Sequence, residues 1–263
     1  MITTDFSTGA PCWLDIGVRS VSAAKEFYGG VFGWTLEQFG PGDDAYGLFK
    51  NDGKTVAAVG PLDEDARSGW MVYFRTPDLD ETAEEVRRLG GTVRLGPSEV
   101  DDQGRLAQFS DPQGGRFAAW QPSKTPGLES VDEPGSLMWV ELYTTDAGAA
   151  KEFYKRLYGW QYSEMPVPDD PETTYVMITP AGEEQERMHG GLMQVPQDTL
   201  ALAGGDPFWH PVFHVTDCDG AAARVGELGG SVVMGPQNAE GVGRMAVCLD
   251  PFGADFVVLT PSM

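Results

Sequence analysis

AAKEFYGGVFGW at residues 23–34 returns as AAKEFYKRLYGW at 149–160, an offset of 126 residues. Upstream at the same offset, Trp13-Leu14-Asp15-Ile16 matches Trp139-Val140-Glu141-Leu142. Downstream the offset becomes 139: Leu89-Gly90-Gly91 pairs with Leu228-Gly229-Gly230, Gly96-Pro97 with Gly235-Pro236, Gly104-Arg105 with Gly243-Arg244, and Asp111-Pro112 with Asp250-Pro251. Periods this long mean a duplicated domain, since solenoid repeats recur every ~20–50 residues. The thirteen-residue change of offset implies an insertion in the second copy, within 163–208. QPSKTPGLESVDEPG (121–135) is rich in Pro, Gly and Ser and reads as a linker. The expected division is a first domain at 1–121, a linker at 122–136 and a second domain at 137–263.

Each copy divides again. Residues 12–18 read as a strand, and Val21 to Phe32 carry apolar residues at helical spacing. Ser20 or Ser22 caps this helix and Gly33 closes it. Short strands follow at 35–39, 46–50 and 55–59, separated by PGDD and NDG turns. The order recurs as strand 70–75, helix 79–89 and strands near 92–95, 105–109 and 116–120, and the second copy repeats both units at 138–195 and 208–261. The class is α+β, with four βαβββ units.

Composition narrows the function. The 263 residues suffice for two cores, and 41% hydrophobic residues exclude a disordered chain. Eighteen basic against forty acidic side chains give a formal charge of −22, which repels nucleic acid. No apolar run reaches the roughly 18 residues of a membrane helix, and MITTDFSTGAPCW lacks a signal-peptide pattern. Cys12, Cys218 and Cys248 form neither a disulfide framework nor a CxxC pair. The expectation is a cytoplasmic protein, monomer or homodimer, with no nucleic-acid or membrane partner.

A strand, then AAKEFYxxxxGW, an LGG turn, D-P-x-G and a final strand resemble the vicinal oxygen chelate superfamily, which includes glyoxalase I, extradiol dioxygenases, fosfomycin-resistance enzymes and bleomycin-binding proteins. The resemblance covers nearly the whole chain, and the tandem arrangement is similar to an actinobacterial group labelled glyoxalase-like or hydroxylase. It implies two tandem glyoxalase-like domains, each two βαβββ units forming a cupped mixed sheet with helices on its outer face. It also implies metal ligands on the first and last strands of each unit. The positions so implied hold Trp13, Met71 and Ala118 in copy one, and Trp139, His210 and Val257 in copy two. The remaining acidic ligand belongs on the fourth strand of the first unit, where 55–59 and 189–193 hold no carboxylate, although His189 lies there. Indole nitrogen is only a donor and cannot ligate a cation. No cofactor is therefore expected, the alternative being one divalent metal in the second domain. Glu141, His210 and His214 could supply two imidazoles and a carboxylate for it. On a strand, however, His210 and His214 stand about 13 Å apart, too far to share one ion.

Period-two alternation sorts the strands into helix-facing and cup-facing sides. In copy one Trp13, Asp15, Met71, Tyr73, Arg75, Arg116 and Trp120 face the cup; in copy two Trp139, Glu141, His210, Val212, His214, Asp255, Val257 and Leu259 do so. Aromatic walls with few polar fixtures suit a flat small molecule. Asp15 and Glu141 hold equivalent positions, as ligand-binding groups, as a base, or simply paired with Arg75 or His214. The AAKEFY stripe reads as core and helix surface, and neither Cys218 nor Cys248 has a basic neighbour that would make it a nucleophile. The expected function is metal-independent binding of an aromatic metabolite or drug, of the bleomycin-resistance type, in resistance or secondary metabolism. Two alternatives stand beside it. One is a glyoxalase-like lyase or isomerase, or a hydroxylase/dioxygenase-type enzyme, with a site rebuilt in the second domain; the other is an interaction protein with closed cups.

Overall fold

The computed structural model describes residues 1–62, 66–167 and 170–262. Four βαβββ modules follow one another. The first holds β1 (Pro11–Val18), α1 (Val21–Phe32), β2 (Thr35–Gln38), β3 (Gly47–Asn51) and β4 (Lys54–Pro61). The second holds β5 (Gly69–Arg75), α2 (Leu79–Arg88), β6 (Thr92–Val100), β7 (Gly104–Ser110) and β8 (Arg116–Pro122). The third holds β9 (Leu137–Thr144), α3 (Ala147–Tyr158), β10 (Gln161–Val167), β11 (Asp170–Thr179) and β12 (Gly190–Gln194). The fourth holds β13 (Phe208–His214), α4 (Cys218–Glu227), β14 (Ser231–Ala239), β15 (Gly243–Leu249) and β16 (Asp255–Pro261). In every module the first strand runs parallel to the last, and the trailing three strands are antiparallel. The expected α+β class with tandem repeats of this plan holds.

The helices start and stop where their ends are chemically marked. Ser20 Oγ accepts the Ala23 N–H, and Asp78, Asp146 and Asp217 cap α2, α3 and α4 in the same way. Gly33 and Gly159 end α1 and α3 in the left-handed conformation that disfavours a Cβ. Within AAKEFY, Ala24, Phe27 and Tyr28 are buried in α1, as are Ala150, Phe153 and Tyr154 in α3. The stripe is core, as its spacing predicts. One strand differs from expectation: β6 runs on to Val100, because register shifts at Val93/Leu95 and Leu95/Ser98 carry the ladder past Pro97.

By packing, the chain forms two units, each containing one module from either repeat. One comprises Met1–Trp13, Met71–Gly127 and Trp139–Trp209; the other comprises Leu14–Trp70, Leu128–Met138 and His210–Met263. In the first, α2 lies against α3 over a core containing Phe74, Phe109, Phe117, Phe153, Tyr154 and Trp160. The Tyr154 hydroxyl donates to Asp111 Oδ2 (3.1 Å) and accepts from Trp209 Nε1 (2.9 Å). In the second, α1 lies against α4 over Phe27, Tyr28, Trp34, Phe49, Phe213 and Phe256. There the Tyr28 hydroxyl donates to Asp250 Oδ2 (2.9 Å). Each aspartate also caps its own D-P-x-G turn: Asp111 Oδ1 accepts from Gln113 and Gly115, and Asp250 Oδ1 from Phe252 and Ala254. The two motifs that reveal the repeat thus meet in space within each unit, helix tyrosine on turn aspartate.

The thirteen added residues are spread over three connections. Pairing of Asp15 with Ala58 and of Glu141 with Gly191 puts β12 at an offset of 133 from β4. Pairing of Leu48 with Ala58 and of Met177 with Gly191 puts β11 at 129 from β3. The last six residues enter between β12 and β13, where a 3-10 turn at Thr199–Ala203 forms. Residues 168 and 169, inside the first of these connections, lie outside the described residues.

The predicted linker is tied down in its second half. Glu129 Oε2 accepts from both the backbone N–H and the hydroxyl of Thr55 (2.6 Å each), Val131 bridges Leu137, and the Gly135 N–H donates to the His214 carbonyl (2.7 Å). Leu128 is buried beside these anchors. Glu129→Ala should therefore cost about 1–2 kcal/mol by leaving the Thr55 donors short of an acceptor. Urea denaturation checks this, with Glu129→Gln, which keeps an oxygen, falling between.

Candidate functional site

On β9, Val140 and Leu142 are fully buried on the helix side, while Trp139, Glu141 and Tyr143 alternate onto the other face. Tyr175 of β11 reaches the same face, because Val176 and Ile178 take the core side. Its hydroxyl crosses β12 over Gly191: a Cβ at 191 would lie 1.8 Å from the Tyr175 oxygen. Only glycine leaves this seat open. From it, Tyr175 donates to Glu141 Oε1 (2.6 Å) and accepts from Trp139 Nε1 (2.8 Å). The hydrogens run one way, from indole to phenol to carboxyl group. Burial first, and then the Glu141 charge, hold the phenol well above its ordinary range, so it stays a donor to Glu141. Tyr143, further along, is covered by Phe208 (ring centroids 5.5 Å), with Val195 and Leu200 in the same cluster and Met193 against it.

In the same unit Trp13 stacks on Trp120 of β8 (6.4 Å, 19°), and Trp120 Nε1 donates to the Thr125 carbonyl (2.8 Å). Tyr73 of β5 pairs with Ala118, and Arg75 pairs with Trp120. Tyr73 is buried, Met71 and Arg75 are half-buried, and Arg116 is exposed at the start of β8.

In the second unit His210 Nδ1 lies 3.0 Å from Asp255 Oδ2, both residues being buried. An ionised carboxylate can only accept, so Nδ1 is the donor in this contact. His214 Nδ1 lies 3.2 Å from the Asp132 carbonyl, and Asp15 is half-buried on β1 opposite Ala58. The structure thus joins Trp139 to Glu141 through Tyr175, Trp13 to Trp120, and His210 to Asp255. It gives Glu141 a tyrosine partner, and His214 a backbone carbonyl.

The donor set does not fit a divalent cation. Trp13 and Trp139 offer N–H groups, the latter already committed to Tyr175, while Ala118 and Val257 offer nothing. Among the described residues no three His, Cys, Asp or Glu side chains gather at one point. His189, the other histidine near an expected position, packs on Trp160 in the aromatic core (5.4 Å), and burial pushes its imidazole down to about 3. All three thiols are buried; Cys218 is pushed up to about 11 and Cys248 to about 12, which removes them as nucleophiles.

A cleft of about 720 Å³ opens elsewhere in the second unit, between the end of α1 and the start of α4. Gly29, Gly30, Phe32, Gly135, Asp217 and Arg224 are among its lining residues, and none of the predicted site residues reaches it.

Sequence reasoning missed Tyr175 and Gly191. A signal was present: strand register makes Tyr46 the counterpart of Tyr175, since Gly47 pairs with Val59 and Tyr175 with Met193. Both copies therefore carry Trp-x-Asp/Glu on the first strand and a Tyr at the third, Tyr46 immediately before β3 and Tyr175 within β11. The pair is hidden because it stands at an offset of 129, between the two offsets that the motifs display.

Comparison with known proteins agrees with this architecture. The family model of the Glyoxalase/Bleomycin resistance protein/Dioxygenase superfamily matches residues 12–118 and 136–258. The anthracycline biosynthesis protein DnrV of Streptomyces peucetius is 37% identical over 275 residues, covering 97% of this chain and 94% of that protein. CFP32 of Mycobacterium tuberculosis is 32% identical over 265 residues, covering 98% and 97%. Among solved structures, 2,2',3-trihydroxybiphenyl 1,2-dioxygenase from Sphingomonas wittichii superposes with a TM-score of 0.65 at 16% identity, covering 97% of this chain and 91% of that one. The Mn(II)-bound glyoxalase of Novosphingobium aromaticivorans gives 0.63 at 16% identity, covering 95% and 82%. At such identities the likeness speaks for the fold.

Proposed function

We propose that this chain, which belongs to the Glyoxalase/Bleomycin resistance protein/Dioxygenase superfamily, binds a flat aromatic small molecule without a divalent metal. The observation that carries this reading is the half-buried face of Trp139 and Tyr175 around one oriented carboxyl group, Glu141. Aromatic surface supplies affinity and a single fixed polar group supplies orientation, the usual division of labour in a small-molecule site. Trp13 stacked on Trp120 is a second aromatic surface of the same kind. The role of DnrV, in anthracycline biosynthesis, supports a place in secondary metabolism. We take 1–121 and 137–263 as the duplicated domains and 122–136 as their junction, in a protein that works in the cytoplasm as a monomer or homodimer. Among the described residues no helix is long and apolar enough to cross a membrane.

A second reading, an enzyme of the same superfamily, is favoured by the buried His210–Asp255 pair, which has the form of an oriented general base. Protein purified without chelator or a metal-affinity tag decides between them. The binding reading expects no stoichiometric zinc, nickel, manganese or iron, and an aromatic compound among the small molecules released on denaturation. Near one equivalent of metal, lost on His210→Ala, overturns it. Trp139→Ala should quench-titrate with the released compound more weakly, by roughly 0.5–1.5 kcal/mol beyond lost contact area. Unchanged affinity in both Trp13→Ala and Trp139→Ala leaves the tryptophans as filler.

A further inference from the structure

We propose that the cleft between α1 and α4 is a second small-molecule site, one for a flat organic acid whose carboxylate seats on Arg224. It goes beyond the binding reading above and does not depend on it, because the cleft lies wholly within the second unit and its lining shares no residue with the face of β9.

The repeat shows why the cleft is open. At the offset of 126, Gly29 and Gly30 of α1 stand where α3 carries Lys155 and Arg156. At the offset of 139, Gly220, Ala221 and Arg224 of α4 stand where α2 carries Glu81, Thr82 and Glu85. In the first unit α2 lies against α3, and Glu85, paired with Arg88, also feels the charge of Arg156 across that contact. In the second unit α1 lies against α4 with the long side chains at these positions cut back to hydrogen or methyl, and with an arginine in place of Glu85. The space left is about 720 Å³, within the range of about 300–1,000 Å³ of small-molecule pockets.

Arg224 gives the cleft its choice of ligand. The chain carries forty acidic against eighteen basic side chains, yet among the described residues no carboxylate pairs with Arg224. The counterpart of its neighbour across the cleft, Arg156, is glycine at position 30. Asp217, the carboxylate in the lining, is held as the cap of α4, accepting the Gly220 N–H at 3.0 Å. It stands two turns of helix, about 10 Å, from Arg224, so the cleft has one cationic end. A carboxylate there meets the planar guanidinium in a charge-assisted, two-bond geometry that a neutral amide cannot reproduce. Gly29 and Gly30 expose backbone with no Cβ to hold a ring away, and Phe32, half-buried where its counterpart Tyr158 is buried, supplies an apolar flank for a flat body.

The test uses 2-naphthoate and its neutral counterpart 2-naphthamide, with binding measured by equilibrium dialysis at about pH 7. The native protein should hold the acid about tenfold or more tightly than the amide, the fold-change expected of hydrogen bonds to a charged group. Arg224→Gln should bring that preference to within about twofold. Gly30→Glu, which supplies a carboxylate to Arg224 from the chain itself, should abolish binding of the acid. Gly30 lies inside α1 and outside the positive-φ residues, and the atom nearest an added Cβ is Leu228 Cδ1 (2.5 Å), the end of an exposed, flexible side chain that can turn aside. Far-UV circular dichroism establishes that each variant is folded. Equal binding of the two probes by the native protein, failure to bind the acid, an undiminished preference in Arg224→Gln, or undisturbed binding in Gly30→Glu overturns the inference. Loss of the acid in Trp139→Ala and not in Arg224→Gln assigns the probe to the face of β9 and overturns it too.

Discussion

Asp250→Ala is expected to lower stability by about 3 kcal/mol, among the largest effects of any single substitution outside the apolar core. One side chain there satisfies three donors, two buried and one part-buried: the Tyr28 hydroxyl (2.9 Å) and the backbone N–H groups of Ala254 (2.8 Å) and Phe252 (2.9 Å). Alanine leaves all of them without this acceptor, at a cost of order 1 kcal/mol each. Tyr28→Phe removes only one donor and should cost about 1 kcal/mol, and the double mutant should cost less than the sum. Asp250→Asn keeps an acceptor for the turn, and the tyrosine hydroxyl can rotate to meet the new amide, so its cost should stay near 1 kcal/mol. The asparagine variant also isolates a charge effect. Desolvation raises Asp250 above the ordinary carboxylate range. A group raised in the folded state contributes stability that is complete below its unfolded pKa of about 3.9 and is lost as pH rises through the folded value. Relative to Asp250→Asn, native protein should therefore lose stability as pH rises above about 3.9, and the difference between the two pH profiles isolates the carboxylate. Asp111, with Tyr154, Gln113 and Gly115, is the counterpart in the other unit, and Asp111→Ala should behave alike. Urea denaturation across pH measures all of these; a cost below about 1 kcal/mol for both alanine variants would show that water replaces the carboxylate.

The same pair of motifs explains how much of the fold was legible. Helix spacing, caps and turn glycines are local properties, and the borders of α1 fall where Ser20 and Gly33 place them. The meeting of AAKEFY with D-P-x-G was not legible, although both motifs stood out, because which helix faces which is settled by non-local packing. Tyr28 finds an aspartate 222 residues away, whereas Asp111 belongs to its own repeat. Period-two alternation put Trp139 and Glu141 on one side of β9, as the structure has them, but alternation says nothing about which neighbouring strand contributes the bonding partner. Tyr175 came into view only through strand register, and Gly191 only through the space above it.

The site reading and the repeat reading bear on one another. Duplication set a tryptophan, a carboxylate and a tyrosine at matching strand positions in both copies: Trp13, Asp15 and Tyr46, and Trp139, Glu141 and Tyr175. Glycine lies under the second tyrosine, where the first copy has Ala58 at the matching position. In the second copy the tyrosine hydroxyl lies across the neighbouring strand over this glycine and donates to Glu141.

Acid sensitivity gives the second large effect. His189 is 1% exposed, neither ring nitrogen has a hydrogen-bond partner among the described residues, and its ring packs edge-on against Trp160. Burial first, and the positive chain terminus second, push its imidazole down from 6.5 to about 3. The unfolded chain therefore takes up a proton near pH 6.5 that the folded chain refuses until about 3. With more protons on the unfolded state, stability must fall as pH falls through that window, at about 1.4 kcal/mol per pH unit, and it is fully restored above about pH 7. By about pH 4.5 the loss from this one residue is roughly 2–3 kcal/mol. His189→Phe retains a flat ring against Trp160, removes two unsatisfied nitrogens and has nothing to titrate. Its stability should equal or exceed the native value at pH 7, and the gap should widen by that same 2–3 kcal/mol on acidification to about pH 4.5. Because the carboxylates are common to both proteins, the difference between the two pH profiles isolates the histidine. A gap that stays constant between pH 7 and about 4.5 would mean that the imidazole is protonated as readily inside the fold as outside it, and that water or a carbonyl reaches the ring in solution.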